Sequence, residues 1–137
     1  MNTAKKSSVS STLRRTRQRD AIRDVFHREH RPLRAEEVCA LAKQVVPGIG
    51  LATVYRALKQ LVERGELTEV RVPELDNVLY ESADKGHHHH FCCRRCERIL
   101  DFDGCAMKTG PLAPPGFVVE SHEVYLYGVC ADCAAAL

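Results

Sequence analysis

The apolar positions in the first half of the chain recur at helical spacing in three segments. The first predicts a helix over residues 17–29 with Thr16 as its N-cap, and the second predicts a helix over residues 35–46. The third runs from residue 50 to residue 65, where Gly65 suits the position just past a helix C-terminus. Its inward-facing stripe consists of Leu51, Val54, Leu58, Leu61 and Val62.

Two short β-prone runs, residues 67–72 and 77–82, follow these helices, and a turn-forming stretch joins them. Helices followed by a hairpin form a winged helix-turn-helix, in which the last helix before the hairpin enters the DNA major groove. The polar face of that helix carries Arg, Lys, Gln, Thr and Tyr side chains, which can contact bases and phosphates. We therefore predict an α+β protein with a winged-helix DNA-binding domain over residues 1–82, of which residues 1–11 are expected to be disordered.

The charge distribution favours a nucleic-acid partner for the first half of the chain. Residues 1–72 contain 15 Lys and Arg against 8 Asp and Glu, a net charge of +7, whereas residues 73–137 carry −5 and the whole chain +2. Four arginines lie just before and inside the first helix: Arg14, Arg15, Arg17 and Arg19. An unevenly charged surface on a small helical bundle is the alternative interpretation.

The chain shows no sign of export or of membrane insertion. No apolar run is long enough to span a membrane, and the polar, Ser-rich N-terminus has no secretory signal, so we expect a cytoplasmic protein without a membrane partner. Cysteines in that compartment are usually reduced, which favours metal binding over disulfides. The H-E-x-x-H pattern of a zinc hydrolase does not occur, and we expect no enzymatic activity.

Two C-x-x-C pairs in the second half predict a zinc site. Cys93 and Cys96 form one pair, Cys130 and Cys133 form the other, and 33 residues separate them. Each pair supplies two thiolates from one tight turn, and together they complete the tetrahedral sulfur set of structural zinc. A redox disulfide is the alternative that a single pair would favour. We predict that residues 83–137 form a small α/β domain stabilised by this zinc.

Four consecutive histidines precede the first C-x-x-C pair and run into a β-prone segment. In an extended chain His87 and His89 lie on one side and His88 and His90 on the other, so one strand can serve two metal sites. Candidate partners are Glu81 and Asp101 for one site and His122, Asp103 or Cys105 for the other. Such mixed shells suit zinc, ferrous iron, manganese or nickel. A disordered metal-scavenging tract is the alternative interpretation.

The chain resembles the ferric uptake regulator (Fur) family of bacterial metal-sensing repressors from about Thr16 to Cys133. The most specific segments are residues 50–58 (Gly-Leu-Ala-Thr-Val-Tyr-Arg-Ala-Leu), the histidine run, and residues 125–128 (Tyr-Leu-Tyr-Gly) before the second cysteine pair. The resemblance implies a homodimer that dimerises through its C-terminal domain and binds palindromic, AT-rich operator DNA. It further implies a repressor of metal-uptake and homeostasis genes with zinc or ferrous iron as corepressor and no small-molecule substrate.

The same resemblance implies roles for individual residues. The structural zinc ligands are Cys93, Cys96, Cys130 and Cys133. The regulatory metal ligands are Glu81, His88, His90 and Asp101. An additional site takes His87, His89 and His122. The DNA contacts, with Thr53 and Lys59 included for their phosphate-binding chemistry, are Arg14, Arg15, Arg19, Thr53, Tyr55, Arg56 and Lys59.

Three positions depart from the family pattern. Pro32 stands where many iron- and peroxide-sensing members have a histidine, with His30 two residues earlier. Lys108 stands where the additional site usually has a glutamate, and Asp101 in place of Glu is shared with peroxide sensors. The sequence therefore leaves open the sensed metal or oxidant, including a peroxide-sensing regulator, and whether His30 or Cys105 is a ligand. A metal-buffering zinc protein without a DNA role is the alternative from another class.

Overall fold

The computed structural model describes residues 3–105 and 113–136. The chain divides into two compact units, Met1–Asp84 and Lys85–Leu137, close to the boundary expected after residue 82. The first unit contains helices and a three-stranded sheet, and the second contains another three-stranded sheet and a short helix. This combination of helices and mainly antiparallel strands is the α+β class predicted from the sequence.

The first unit has the element order of a winged helix-turn-helix. Its elements are α1 (Thr3–Glu29), β1 (Leu33–Arg34), α2 (Ala35–Ala42), α3 (Leu51–Glu63), β2 (Leu67–Val70) and β3 (Leu79–Ser82). β3 is the central strand and is antiparallel both to β1 and to β2. The hairpin of β2 and β3 is the predicted wing, and α3, which precedes it, takes the place of the recognition helix.

α1 is longer than the sequence pattern indicates. It begins at Thr3, so residues 3–11, which we expected to be disordered, belong to the helix, and Thr16 lies in its interior. The Thr16 hydroxyl donates to the Thr12 carbonyl oxygen at 3.0 Å instead of capping a helix end. Because no Gly or Pro occurs before Pro32, the backbone offers no early break. Within the described ranges no helix, α1 included, is both long and apolar enough to cross a membrane.

One apolar core holds the first unit together, and α3 supplies its centre. Val54, Leu58 and Leu61 are fully buried in one cluster with Ile22 of α1 and Val38 of α2. Their spacing of three and four residues places them on one helix face. The opposite face of α3 therefore stays exposed, and its side chains are available for contacts outside the unit.

One residue of the buried stripe predicted for α3, Leu51, is not buried. Leu51 is the first helical residue and is 39% exposed, because the buried stripe begins a turn later, at Val54. Val62, by contrast, packs against the core as expected. Gly65 adopts φ 76°, the left-handed backbone that favours glycine after a helix, as the sequence predicts.

The second unit is a small sheet followed by one helical turn. Its elements are β4 (His89–Cys93), β5 (Ile99–Phe102), β6 (Tyr125–Gly128) and α4 (Ala131–Ala135). β4 is central, antiparallel to β5 and parallel to β6. A Cβ on Gly128 would lie 3.3 Å from the ring of Phe91, so glycine lets the two strands pack around that ring.

Candidate metal centres and a basic groove

The second unit brings its metal-ligating side chains into three clusters, and the ligand atoms within each lie within 4.8 Å of one another. The tetrathiol cluster consists of Cys93, Cys96, Cys130 and Cys133. The histidine–aspartate cluster contains His88, His90 and Asp101. The thiol–imidazole cluster consists of His87, His89, Cys105 and His122. Histidines at alternate positions of the run therefore fall into different clusters, as the geometry of an extended chain predicts.

The tetrathiol cluster has the geometry of a structural zinc site. Cys93 ends β4, and its sulfur accepts the backbone N–H groups of Cys96 at 3.4 Å and Cys130 at 3.3 Å. The sulfurs of Cys96 and Cys130 are 3.9 Å apart. A tetrahedron with Zn–S bonds of about 2.3 Å has edges of about 3.8 Å. The four sulfurs thus fit one zinc ion, which would complete their coordination.

The pKa values of Cys93 and Cys133 are shifted in opposite directions. Donation from the Cys96 backbone N–H, and then from that of Cys130, lowers the pKa of Cys93 to about 6. Hydrogen bonding with the Cys130 thiol, together with burial, raises the pKa of Cys133 to about 12. Cys93 is therefore largely ionised at neutral pH, whereas Cys133 would have to give up a proton to bind a metal.

Arg98 is a functional residue that the sequence motifs do not reveal. Its Nε donates to the Cys96 sulfur at 3.3 Å, and its Nη2 donates to the Cys130 sulfur at 3.7 Å and to the Asp132 carboxylate at 3.1 Å. These bonds lower the pKa of Cys96 and raise that of Arg98. The only sequence signal was a cation two residues after a cysteine ligand.

The histidine–aspartate cluster lies on the paired strands β4 and β5 and on the residue before β4, His88. His90 and Asp101 are register partners, and their Nε2 and Oδ1 atoms are 3.3 Å apart. His88 Nε2 lies 3.9 Å from the same oxygen, and Lys85 pairs with the other oxygen of Asp101. His88 Nδ1 lies 2.7 Å from the Gly86 carbonyl oxygen, which can only accept, so Nδ1 carries the proton. Nε2 of His88 consequently carries the lone pair that could bind a metal.

Glu81, the fourth regulatory ligand implied by the resemblance, belongs to the first unit. It lies on β3 opposite Thr68 and is only 4% exposed. A carboxylate buried to this extent is normally paired or metal-bound. His30, the other histidine weighed as a ligand, follows α1 in left-handed backbone with φ 52°.

The thiol–imidazole cluster joins a cysteine to three histidines. Cys105 Sγ is 3.1 Å from His122 Nε2, and His87 Nε2 is 3.1 Å from His89 Nε2. Burial, and then the neighbouring histidines, lower the pKa of His89, which keeps that ring neutral. Of the two alternatives weighed from the sequence, the structure brings Cys105 and not Asp103 into the cluster. Lys108 lies outside the described residues.

The first unit carries a groove of about 1000 Å³ between α1 and α3. Five arginines line it, and no acidic residue does within the described part of the chain. Among the residues predicted to bind DNA, those in its lining are Arg14, Arg15, Arg19, Thr53 and Arg56. Such a surface attracts a polyanion.

The remaining predicted DNA contacts lie on the exposed side of α3, outside the groove lining. Tyr55 is 45% exposed and donates to Glu36 at 3.1 Å, an interaction that raises the pKa of Tyr55. Lys59 is exposed as well. Neighbouring polar groups position two groove residues, because Arg19 donates to Gln60 at 3.2 Å and Arg56 donates to Thr53 at 3.3 Å.

A winged-helix unit with an arginine-lined groove, followed by a unit of converging metal ligands, defines a class of metal-binding proteins with a DNA-binding fold. The sequence model of the ferric uptake regulator family matches residues 10–127. The ferric uptake regulation protein of Bordetella parapertussis is 36% identical over 126 residues, which cover 88% of this chain and 89% of the relative. The chain belongs to the ferric uptake regulator family, as its motifs predicted.

Solved structures share the fold. The Helicobacter pylori ferric uptake regulator, a structure described as revealing three functional metal-binding sites, matches with a TM-score of 0.63 and 22% identity, over 93% of each chain. FurB from M. tuberculosis, described as a zinc uptake regulator, matches with a TM-score of 0.52 and 27% identity, over 91% of this chain and 98% of the other. Relatives of this chain thus include regulators named for iron and for zinc.

Proposed function

We propose that this protein is a metal-dependent transcriptional repressor, which binds operator DNA through its first unit when a divalent metal occupies its second. Membership of the ferric uptake regulator family supports this class over an enzyme or a metal buffer. The observation that carries the proposal is the convergence of His88, His90 and Asp101 in the unit that follows the winged-helix unit in the chain.

The histidine–aspartate cluster is suited to a regulatory cation. The lone pair of His88 Nε2 faces a carboxylate oxygen of Asp101, an arrangement that a bound cation stabilises. Imidazole and carboxylate donors suit zinc and ferrous iron, and also manganese. Lys85 pairs with one carboxylate oxygen of Asp101, and the other oxygen faces the two histidines, where it would serve as a metal ligand.

Glu81 gives this site its proposed regulatory role. The resemblance makes it the fourth ligand, and it belongs to the first unit, whereas the other three belong to the second. A metal held by ligands from both units would restrict the connector between residues 82 and 87. In a dimer, that restriction would favour the separation of recognition helices that fits a palindromic operator. The metal-free protein would sample other separations and so bind the operator with lower apparent affinity.

The arginine-lined groove and α3 are proposed to make different kinds of contact with DNA. Arginines of α1 would hold phosphates, which supplies affinity without sequence preference. Arg56 and Tyr55, on the exposed face of α3, would reach base edges in the major groove. The full set of contacts in this proposal is that named in the sequence analysis.

A homodimer would also cover apolar surface that the second unit exposes. Phe117 is 71% exposed and Val118 is 87% exposed, and β6 lies at one side of the described sheet. Exposed apolar side chains and strand edges are characteristic of surfaces that a partner covers. Sedimentation of the zinc-loaded protein at micromolar concentration should show a dimer, and replacing Val118 by Asp should shift it towards the monomer.

Operator binding measured by fluorescence anisotropy tests the proposal. The zinc-loaded protein is titrated into a palindromic AT-rich duplex with zinc, anaerobic ferrous iron, manganese or nickel, or with no added metal. We expect one or more of these metals to raise affinity at least about tenfold, which corresponds to about 1.4 kcal/mol. The double variant H88A/H90A should lose this response and keep one structural zinc per chain. The matched control is His27→Ala, an exposed histidine of the first unit.

Two results would contradict the proposal. The first is a metal response that survives unchanged in H88A/H90A. The second is the absence of specific, salt-sensitive operator binding under any metal, which is what a metal buffer would show. Exposure of the iron-loaded protein to peroxide distinguishes a peroxide sensor, because oxidation should then abolish operator binding.

A further inference from the structure

We infer that Cys105 supplies a thiolate ligand to a separate metal site, formed with His87, His89 and His122, that prefers thiophilic cations such as zinc over manganese and ferrous iron. This goes beyond the proposed regulatory function, which requires metal at the histidine–aspartate cluster only. The sequence left this site in doubt, because Lys108 stands where a carboxylate ligand is usual.

The geometry brings the four side chains together from three parts of the second unit. His89 is the first residue of β4 and His87 precedes that strand, whereas Cys105 lies in the loop after β5 and His122 in the segment before β6. The His122 ring centroid lies 4.7 Å from that of His87 and 5.2 Å from that of His89. One sulfur and three imidazole rings therefore surround a single point.

The identity of the fourth donor determines which metals the site takes. A thiolate is a soft ligand that favours zinc, whereas a carboxylate also accommodates manganese and ferrous iron. Four ligands of the His and Cys type match the tetrahedral coordination of zinc. The nearest acidic alternative in sequence, Asp103, is outside the cluster. Because Cys105 and not Asp103 belongs to the cluster, we expect this site to prefer soft metals.

Hydrogen bonds identify the protons that a metal must displace. The Val124 backbone N–H donates to His89 Nδ1 at 3.2 Å, so a neutral His89 ring carries its proton on Nε2 and donates it to His87 Nε2. For His89 Nε2 to bind a metal, its proton would have to move to Nδ1 and replace the hydrogen bond from the Val124 N–H. The Cys105 thiol also loses its proton when the metal–sulfur bond forms, and both the proton and the hydration water of the metal pass to solvent.

Cobalt binding tests the inference directly, because a cobalt–thiolate bond produces an intense near-ultraviolet charge-transfer band that histidine ligands alone do not. The full chain is used with its tetrathiol site filled with zinc, verified by metal analysis, and with H88A/H90A to silence the other cluster. We expect one equivalent of cobalt to produce the band in this background. Cys105→Ser should abolish the band, and the matched loop variant Asp103→Asn should retain it.

A second variant tests metal selectivity through binding affinities and does not depend on the cobalt–thiolate band. Cys105→Glu should lower the ratio of zinc to manganese affinity at this site by about tenfold or more. Retention of the band in Cys105→Ser, or an unchanged affinity ratio in Cys105→Glu, would overturn the inference. Both measurements report on metal bound at the thiol–imidazole cluster and not on DNA binding. A negative result would therefore leave the proposal of metal-dependent operator binding through His88 and His90 untouched. A positive result would hold even if the protein does not bind an operator.

Discussion

At the residue scale, Arg98 illustrates how a side chain that does not bind the metal can control a metal centre. A zinc ion with four thiolates carries a net charge of about −2, which is costly beside a buried sheet. The guanidinium of Arg98 contacts two of the sulfurs, and Asp132 at the start of α4 holds it in place. This arrangement stabilises the thiolate form and therefore favours retention of zinc.

Arg98→Ala should release zinc to a chelator about ten times faster than the wild-type protein, because loss of an outer ligand contact typically weakens metal binding by this amount or more. The release is followed by the absorbance of a chromogenic chelator under anaerobic conditions. Arg95→Ala is the matched control, since Arg95 is an exposed arginine in the same turn. Equal release rates in the two variants would show that Arg98 has no such role.

Zinc affinity at the tetrathiol site should fall as the pH falls. Metal-bound thiolates have lower pKa values than the free thiols, so the stability that zinc contributes is present at high pH and is lost on acidification. Cys133, with a pKa of about 12, must release a proton throughout the neutral range, whereas Cys93, with a pKa of about 6, adds a further proton only below that pH. Competition titrations should therefore show a steeper decline below about pH 6, and a uniform slope would contradict this assignment.

At the element scale, one face of α3 packs in the core, and the opposite face is the one proposed to contact DNA. Its buried face carries Val54, Leu58 and Leu61, and its opposite face carries the exposed polar side chains of the proposed recognition surface. Because the helical period places these two sets of side chains on opposite sides of α3, packing of the buried set fixes the orientation of the proposed recognition surface. A change on the buried face is expected to affect stability, and a change on the exposed face is expected to affect DNA affinity.

Leu58→Ala should lower the free energy of unfolding of the first unit by about 2–5 kcal/mol, because it opens a cavity in a fully buried core. Leu51→Ala, on the same helix but 39% exposed, should cost less than about 1 kcal/mol. Urea denaturation of the zinc-loaded protein, followed by far-ultraviolet circular dichroism, measures both. Similar losses for the two variants would mean that the buried stripe of α3 is assigned incorrectly.

Arg15→Gln should reduce the slope of log affinity for operator DNA against log salt concentration by about 1.8, since a homodimer would lose one phosphate contact from each protomer. Arg15 lines the groove, whereas the exposed Arg28, near the other end of α1, does not. Arg28→Gln is therefore expected to leave the slope unchanged. Anisotropy titrations at several salt concentrations provide the measurement, and equal slopes for both variants would remove the groove from the DNA interface.

Elements with a clear period were predictable from the sequence, and those governed by tertiary contacts were not. The stripe of α3 and the alternation of the four histidines are local patterns, and the structure retains both with the exception of Leu51. β1 has only two residues, too few to show a period, and the early start of α1 lacks an N-cap motif. The contribution of Cys105 depends on how the loop after β5 folds, which spacing alone does not determine.

At the scale of the whole molecule, the uneven charge of the sequence corresponds to two units with different partners. The basic first unit carries the arginine-lined groove, and the acidic second unit carries the three clusters of metal ligands. The proposed function requires cation binding in one unit to be coupled to DNA binding by the other. Thermodynamic linkage makes that coupling reciprocal, so the operator must strengthen metal binding by the same factor by which metal strengthens operator binding.

The most direct measurement of this coupling is the affinity of the regulatory metal with and without saturating operator duplex, at fixed salt and pH. The account predicts that the duplex raises metal affinity by the same factor, about tenfold or more, by which the metal raises operator affinity, and that H88A/H90A reduces both factors to one. A metal that binds at His88 and His90 with equal affinity in the presence and absence of the operator would contradict it.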